Sequence, residues 1–389
     1  MADNTKIEWT DATWNIVTGC SVVSPGCTNC YAMKLAGTRL KHHESRKGLT
    51  RNSKSGPVWT GDVRFNEQWL TQPLTWKRPR RIFVCAHGDL FAEGVEDEWL
   101  DRIFAVMALC PQHTFQVLTK RPERMRDYLR DVDALALRIQ DVVDNMEPDG
   151  IWKFADHEPW IADDNWPLPN VWLGVSVEDQ KRAEARIPAL LDTPAALRWI
   201  SAEPLLGPID WRRWLPTGRT DRRLDGTAFF ASMYFMTRCE YCGWTGSSEL
   251  CGVDSFGDDS DVYCAHCQRS IMADELPTLD WIVAGGESGP DARPMHPDWI
   301  RSLRDQCKAA GVPFNFKQWG EWKHGSDFAL DAKVVTLDGR TLEPALDALA
   351  AEHREAPFDR GTMMRKVGKK AAGRLLDGAL HDAFPEVRS

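Results

Sequence analysis

Asn170-Val171-Trp172-Leu173-Gly174-Val175 is a short apolar run that passes straight into Ser176-Val177-Glu178-Asp179. A run of that length reads as a buried strand, and the polar residues after it as the loop leading to a helix. The same order recurs along the chain. Further candidate strands are Thr13–Val17, Arg81–Ala86, Thr114–Leu118, Leu197–Ser201, Asp280–Ala284 and Pro313–Lys317. Amphipathic stretches such as Val95–Leu109 and Pro297–Ala309 lie between them, the second bounded by Pro297 and Gly311. Repeated strand-then-helix order predicts an α/β fold with a parallel sheet, open or closed into a barrel.

Polar or glycine-containing runs follow the strands: His87-Gly88-Asp89, Thr119-Lys120-Arg121, Ala202-Glu203-Pro204, Gly285-Gly286-Glu287-Ser288-Gly289 and Gln318-Trp319-Gly320. Loops at the C-terminal strand ends of an α/β barrel converge on one mouth, so these runs are candidates for an active site. They are equally what any strand-to-helix loop contains. Two regions break the pattern. Asp131–Pro169 reads as a helical run followed by an irregular Trp/Asp/Pro-rich excursion, and 212–277 reads as an inserted module. From about Gly325 the tail reads as helices. The expected domains are therefore a barrel at 1–211 and 278–324, a four-cysteine zinc-binding module at 212–277, and a helical extension at 325–389.

The 389 residues carry a net charge of −9, from 48 basic and 57 acidic side chains. That argues against broad binding to a nucleic-acid backbone, while leaving room for a local basic patch. No apolar run is long enough for a membrane span and the N-terminus lacks a signal-peptide core, so a cytoplasmic protein is expected. Most of the 18 tryptophans are expected in the core.

Eleven cysteines in a chain of this class point to metal ligation before disulfides. Cys20, Cys27 and Cys30 stand in Thr18-Gly19-Cys20-Ser21-Val22-Val23-Ser24-Pro25-Gly26-Cys27-Thr28-Asn29-Cys30-Tyr31-Ala32. Three thiolates leave a metal centre with an open position, which suits chemistry better than a structural site. A zinc knuckle completed by a distant histidine is the competing reading, although His42 and His43 lack ligand spacing. Cys239-Glu240-Tyr241-Cys242 and Cys264-Ala265-His266-Cys267, twenty-one residues apart, have the spacing of a structural zinc site. Cys251 is surplus to it. Cys85, Cys110 and Cys307 lie in apolar patterns and read as core thiols.

The chain resembles the radical S-adenosylmethionine (SAM) enzymes, and more closely a widespread phage and prophage family of radical-SAM-like proteins. The resemblance rests on Ile7-Glu8-Trp9-Thr10-Asp11-Ala12-Thr13-Trp14-Asn15, the cysteine loop, Gly88-Asp89-Leu90-Phe91 and Leu118-Thr119-Lys120-Arg121-Pro122. It continues through Asn170–Glu178, Gly285–Gly289, Phe316-Lys317-Gln318-Trp319-Gly320-Glu321-Trp322 and the Val367-Gly368-Lys369-Lys370 tail. The superfamily's usual loop is C-x3-C-x2-C, whereas the first spacer here is six residues, with Pro25 and Gly26 placed to bulge.

The resemblance implies a partial (β/α)6-type barrel with a [4Fe–4S] cluster on Cys20, Cys27 and Cys30. SAM would bind the open iron and yield a 5′-deoxyadenosyl radical on reduction by an electron donor such as a flavodoxin or ferredoxin. By position, Gly88 and Asp89 would meet the methionine amino group of SAM, and Ser176 and Glu178 the ribose. Glu203, Glu287, Lys317 and Gln318 would face substrate, while Lys120 and Arg121 could hold a carboxylate or phosphate. The implied substrate is a nucleotide or DNA base. One reaction of this kind is isomerisation of a side chain on a thymine-derived base, in phage DNA hypermodification against host restriction. Zn2+ would occupy the insertion. A non-radical zinc or iron metalloprotein in DNA processing or protein binding stays open as an alternative, and a structural phage component fits the polar strand ends less well.

Overall fold

The computed structural model describes residues 5, 7–146, 166–222, 227–254, 261–272, 275–325, 332–342 and 361–386. Seven strands form one sheet: β1 (Ala12–Trp14), β2 (Arg81–Val84), β3 (Thr114–Thr119), β4 (Val171–Ser176), β5 (Leu197–Ala202), β6 (Trp281–Gly285) and β7 (Phe314–Gln318). Their order in the sheet is the order of the chain. The described pairings from β1 to β5, and that of β6 with β7, are parallel. A sequential order without reversal is the arrangement of α/β barrels and not of a doubly wound sheet with a switch point.

All seven candidate strands are therefore strands of this sheet. The first is shorter than expected, because the chain turns at Asn15. The Asn15 side chain accepts from the His87 backbone N–H at 3.0 Å, and Asn66 Nδ2 donates to the carbonyls of Asn15 and Ile16. Val17–Gly19 then pairs antiparallel with Val63–Phe65. β4 is buried along its whole length, as expected of a parallel strand covered on both faces.

The helices that bear on the site are α1 (Tyr31–Gly37), α2 (Asp97–Ala108), α3 (Pro122–Leu129), α4 (Val132–Met146), α5 (Gln180–Leu191) and α6 (Pro297–Ala309). Asp179 caps α5 by accepting from the Arg182 N–H, and His296 caps α6 by accepting from Asp298. The predicted helical run after Asp131 is α4; the Trp/Asp/Pro-rich stretch at 147–165 lies outside the described residues.

Two compact units divide the chain. One comprises Met1–Ser176 with Thr193–Ser201, the other Val177–Asp192 with Ala202–Ser389. The division does not follow the expected domain boundaries. The insertion falls inside the second unit, where Arg238 meets Asp192 at 2.6 Å and Arg213 meets Glu184 at 3.0 Å, both on or beside α5. The insertion itself holds short antiparallel pairs, Gly218–Arg222 with Ala228–Ser232 and Met236–Arg238 with Thr245–Ser247, and a three-stranded piece ending in Ser270–Ile271.

The helical reading of the tail is corrected. Its described residues supply three strands, Thr362–Lys366, Lys333–Val335 and Thr341–Leu342, which join Trp322–His324 in a four-stranded antiparallel sheet. Val334, Val335 and Thr362 are β-branched and pack better on a pleated surface than on a helix. One helical turn remains, Lys369–Ala372, between Gly368 and Gly373. Among the described residues no helix is long and apolar enough to cross a membrane.

Among the described residues twelve tryptophans are buried, which makes them core residues before anything else. In the first unit Trp9 packs edge-on against Phe83 and Trp199, at centroid distances of 4.8 and 5.2 Å. Trp199→Ala would leave a large cavity there. The expected cost is about 3–5 kcal/mol, read as a lower urea midpoint with an unchanged slope.

Candidate functional site

Cys20 follows the Val17–Gly19 strand, Cys27 ends the 3-10 turn Pro25–Cys27, and Cys30 is the residue before α1. Backbone bonds from Cys27 to Ser24 and from Cys30 to Cys27, at 2.9 and 3.2 Å, wind this loop tightly. Cys27 is buried, and Cys20 and Cys30 are half-buried. Burial, and then the charge of Asp89, push the Cys20 thiol up to about 12; burial raises Cys30 as well. Without a positive centre Cys20 stays protonated.

Arg121 supplies part of that positive charge. Its Nη1 reaches Cys20 Sγ at 3.5 Å and Asp89 Oδ2 at 2.8 Å, its Nε meets Glu93 at 3.1 Å, and its Nη2 meets Ser21 Oγ at 2.5 Å. Burial opposes the guanidinium charge, but Asp89, Cys20 and Glu93 more than restore it. Asp89 also accepts from Phe91 N, Thr119 Oγ1 and Lys120 N at 3.0, 2.7 and 3.0 Å. Four donors occupy the lone-pair directions a carboxylate offers. Asp89 thus differs from the open acceptor expected of it and acts as the tie between the ends of β2 and β3. Arg121 is likewise committed within the protein. Lys120 differs: its ammonium has no partner among the described residues, and its charge acts on Cys30.

The other expected SAM contacts divide. Gly88 bridges to Gly19 beside the cysteine loop. Ser176 is buried at the end of β4. Glu178, 1% exposed, pairs with Arg186 of α5 at 2.9 Å, so its carboxylate is turned to a buried cation and not left open for a diol.

In the second unit three of the four substrate-side candidates meet. Lys317 Nζ lies 2.8 Å from Glu203 Oε2, and Gln318 Nε2 donates to Glu203 Oε1 at 3.2 Å and to Ser288 Oγ at 2.8 Å. The Gln318 Oε1 atom is buried with no partner. Glu287 is not in this group. It grips Arg293 through the backbone N–H and Nε, both at 2.8 Å, and Nη2 at 2.6 Å, which folds the 287–293 loop on itself. Sequence reasoning misses Arg186, Arg293, Ser288 and the Ser21–Glu93 contacts. Ser21 and Arg121 stand 100 residues apart, and no spacing rule connects them.

The insertion brings Cys239, Cys242, Cys264 and Cys267 together, with all four sulfurs within 4.8 Å of one another. They can hold a metal ion such as zinc. Cys239 and Cys267 are 3.6 Å apart and Cys242 and Cys264 3.7 Å. Tetrahedral zinc with bonds of about 2.3 Å sets sulfur–sulfur edges near 3.8 Å. The two knuckles repeat one another. Cys239 N–H bonds to Trp244 and Gly243 N–H back to Cys239; Cys264 pairs in the same way with Arg269 and Gln268. Burial opposes the Cys264 thiolate, but the N–H groups of Cys267 and His266 aimed at its sulfur help bring it down to about 7.

The N-terminal triplet is no such group among the described residues. Three thiols in one loop, one buried and two half-buried, with a guanidinium on Cys20, are a donor set that a [4Fe–4S] cluster could take.

A family described as "Protein of unknown function (DUF5131)" matches residues 4–385. The chain belongs to this family. No curated protein and no solved structure matches it significantly. The DUF5131 match spans the cysteine loop, the Asp89–Arg121 tie, the Glu203 group and the insertion alike.

Two substitutions separate structural from exposed charges here. Asp89→Ala strands Arg121 in a buried position and should cost about 3–5 kcal/mol. Glu93→Ala should cost less than about 1 kcal/mol, since the Glu93 carboxylate is 64% exposed. Chemical denaturation of both variants measures the contrast. In the insertion, Gly243 and Gln268 occupy the same knuckle step with φ of 71° and 60°. Gln268→Gly should therefore leave stability unchanged or raise it by up to about 1 kcal/mol, while Gly243→Val should lower it by at least as much.

Proposed function

We propose that this protein is a radical SAM enzyme acting on a nucleotide or nucleic-acid base. The observation that carries the reading is the three-thiol loop after the first strand of a sequentially ordered sheet, with Arg121 set on one of its sulfurs. Cys20, Cys27 and Cys30 would hold a [4Fe–4S] cluster. With SAM bound, such a cluster supplies a one-electron reduction that ends in a hydrogen-abstracting 5′-deoxyadenosyl radical.

The chain's own residues prepare that site. Arg121 balances thiolate charge and, through Ser21, pins the long spacer. Asp89 fixes Arg121 and shapes the Thr119–Arg121 turn. Lys120 is the free cation for the carboxylate of SAM, and Ser176, at the end of β4, is the residue placed for a ribose hydroxyl. In the second unit Glu203 and Lys317 hold one another in position, and Gln318 presents an amide oxygen that lacks a donor. The ring N–H of a pyrimidine is a donor of the required kind. The resemblance favours rearrangement of a side chain on a thymine-derived base. Zinc in the insertion would be structural, stabilising a segment with little core of its own.

Anaerobic reconstitution with iron and sulfide tests this reading. The expected product is a coloured protein with about four irons per chain, an altered electron-spin signal on adding SAM, and 5′-deoxyadenosine once a reductant is supplied. Cys27→Ala should lose iron and SAM cleavage together. Cys264→Ser should keep both but lose zinc and leave the insertion sensitive to protease. Zinc at the N-terminal triplet of the anaerobic protein, with no SAM cleavage, would overturn the proposal.

A further inference from the structure

The segment after the cluster cysteines carries a charge pattern opposite to that of the whole chain. From Lys34 to Lys54 seven basic residues (Lys34, Arg39, Lys41, Arg46, Lys47, Arg51 and Lys54) accompany one acidic residue, Glu44, in a protein of net charge −9. Arg46 is buried, where it bonds to Ser45 and His87. Arg39, Lys41, Lys47, Arg51 and Lys54 are exposed, and none of the five has a carboxylate partner among the described residues. Half-buried arginines elsewhere meet carboxylates: Arg102 meets Glu67, Arg124 meets Asp97, and both Arg301 and Arg304 meet Asp377. Unpaired cations this dense repel one another and are stabilised when an anion arrives.

The segment is also built as a rigid projection. Thr50–Ser53 and Gly56–Trp59 form an antiparallel ribbon joined by Lys54 and Ser55. It backs onto α1, where Pro57 lies so close that a Gly37 side chain would begin 2.1 Å from its Cβ. Leu49 and Trp59 share a small core with Ala32, Met33 and Ala36, against which Cys20 and Cys30 themselves pack. The ribbon is thus fixed to the cysteine loop. Its outer residues, Arg51, Asn52, Ser53, Lys54 and Ser55, are all exposed and polar. No large hydrophobic side chain is exposed between Tyr31 and Leu137 among the described residues.

We infer that this ribbon and the loop before it dock the phosphodiester backbone of a nucleic acid, so that the substrate base is presented as part of a polymer. A polar, cationic face without apolar anchors matches protein–nucleic acid interfaces, whereas a protein partner would call for aromatic or aliphatic hot spots. A two-stranded ribbon also fits a DNA groove. The choice of nucleic acid rests in part on the proposed chemistry; the charge pattern stands independently of it.

The test is fluorescence anisotropy with a mixed-sequence DNA duplex and the full-length protein, without SAM or reductant, across a range of salt. The wild type should bind, with affinity falling steeply as salt rises. The triple variant Lys47→Glu, Arg51→Glu, Lys54→Glu should bind at least tenfold more weakly, with a log–log salt slope shallower by about 2–3. Lys77→Glu with Arg78→Glu, at another basic run, should bind as the wild type does. Unchanged thermal unfolding of the triple variant excludes misfolding as the cause. Absence of wild-type binding at low salt, or equal losses in both variants, would overturn the inference. So would a triple variant defective only in reduction by an acidic flavodoxin, which would give this face to a protein. DNA binding without SAM cleavage would sink the proposed function alone, and SAM cleavage without DNA binding would sink the docking surface alone.

Discussion

The buried pair of Asp89 and Arg121 is the constraint on which the candidate site depends. Both side chains are under a tenth exposed. A buried pair of this kind is worth little as net stability against an apolar replacement, yet it is costly to break by halves. Its value here is geometric. One carboxylate fastens the loop after β2 to the turn after β3, and the guanidinium it holds reaches the cysteine loop after β1. Three consecutive strand ends are thereby locked through four hydrogen bonds to one acid. The loop that carries the thiols is held by this tie together with the small core of Leu49 and Trp59 on which Cys20 and Cys30 pack.

The two sulfur sites show how differently one element can be used. In the insertion the four cysteines come as two copies of one knuckle, close enough for a single tetrahedral ion, and they anchor a segment of small hairpins. At the N-terminus three thiols sit in a loop wound by backbone hydrogen bonds and faced by a cation. The first arrangement sets four sulfurs around one point.

The sheet was legible because each strand is a short apolar run that ends in polar residues, and that periodicity is local. Asn170–Val175 needs no partner to be recognised. The insertion's ligands were legible for the same reason, since paired cysteines two residues apart already form half a site. Roles at the strand ends were only half legible. Glu178 and Glu287 look like open acceptors until Arg186 and Arg293 are placed beside them, and helix or loop geometry decides that. Asp89 was visible as a candidate position, but its saturation by four donors depends on β3 lying next to β2. The tail misled because Lys333–Val335 and Thr362–Lys366 are short strands that pair across a gap in sequence, where helical composition in between dominates the pattern.

A sheet whose strands follow one another in chain order tolerates additions between any two of them. The stretch from 212 to 277 enters between β5 and β6, and the entropy of closing a flexible loop grows only logarithmically with its length, about 0.6 kcal/mol per doubling. Its own metal knuckles and its bonds to α5 further reduce the freedom that must be given up. Such a module can be gained, lost or exchanged without altering the register of a single strand pair. The part of this protein least tied to the sheet is therefore the one with the most recognisable cysteine spacing, while the residues around the candidate centre are dispersed over three strand ends and depend on one another.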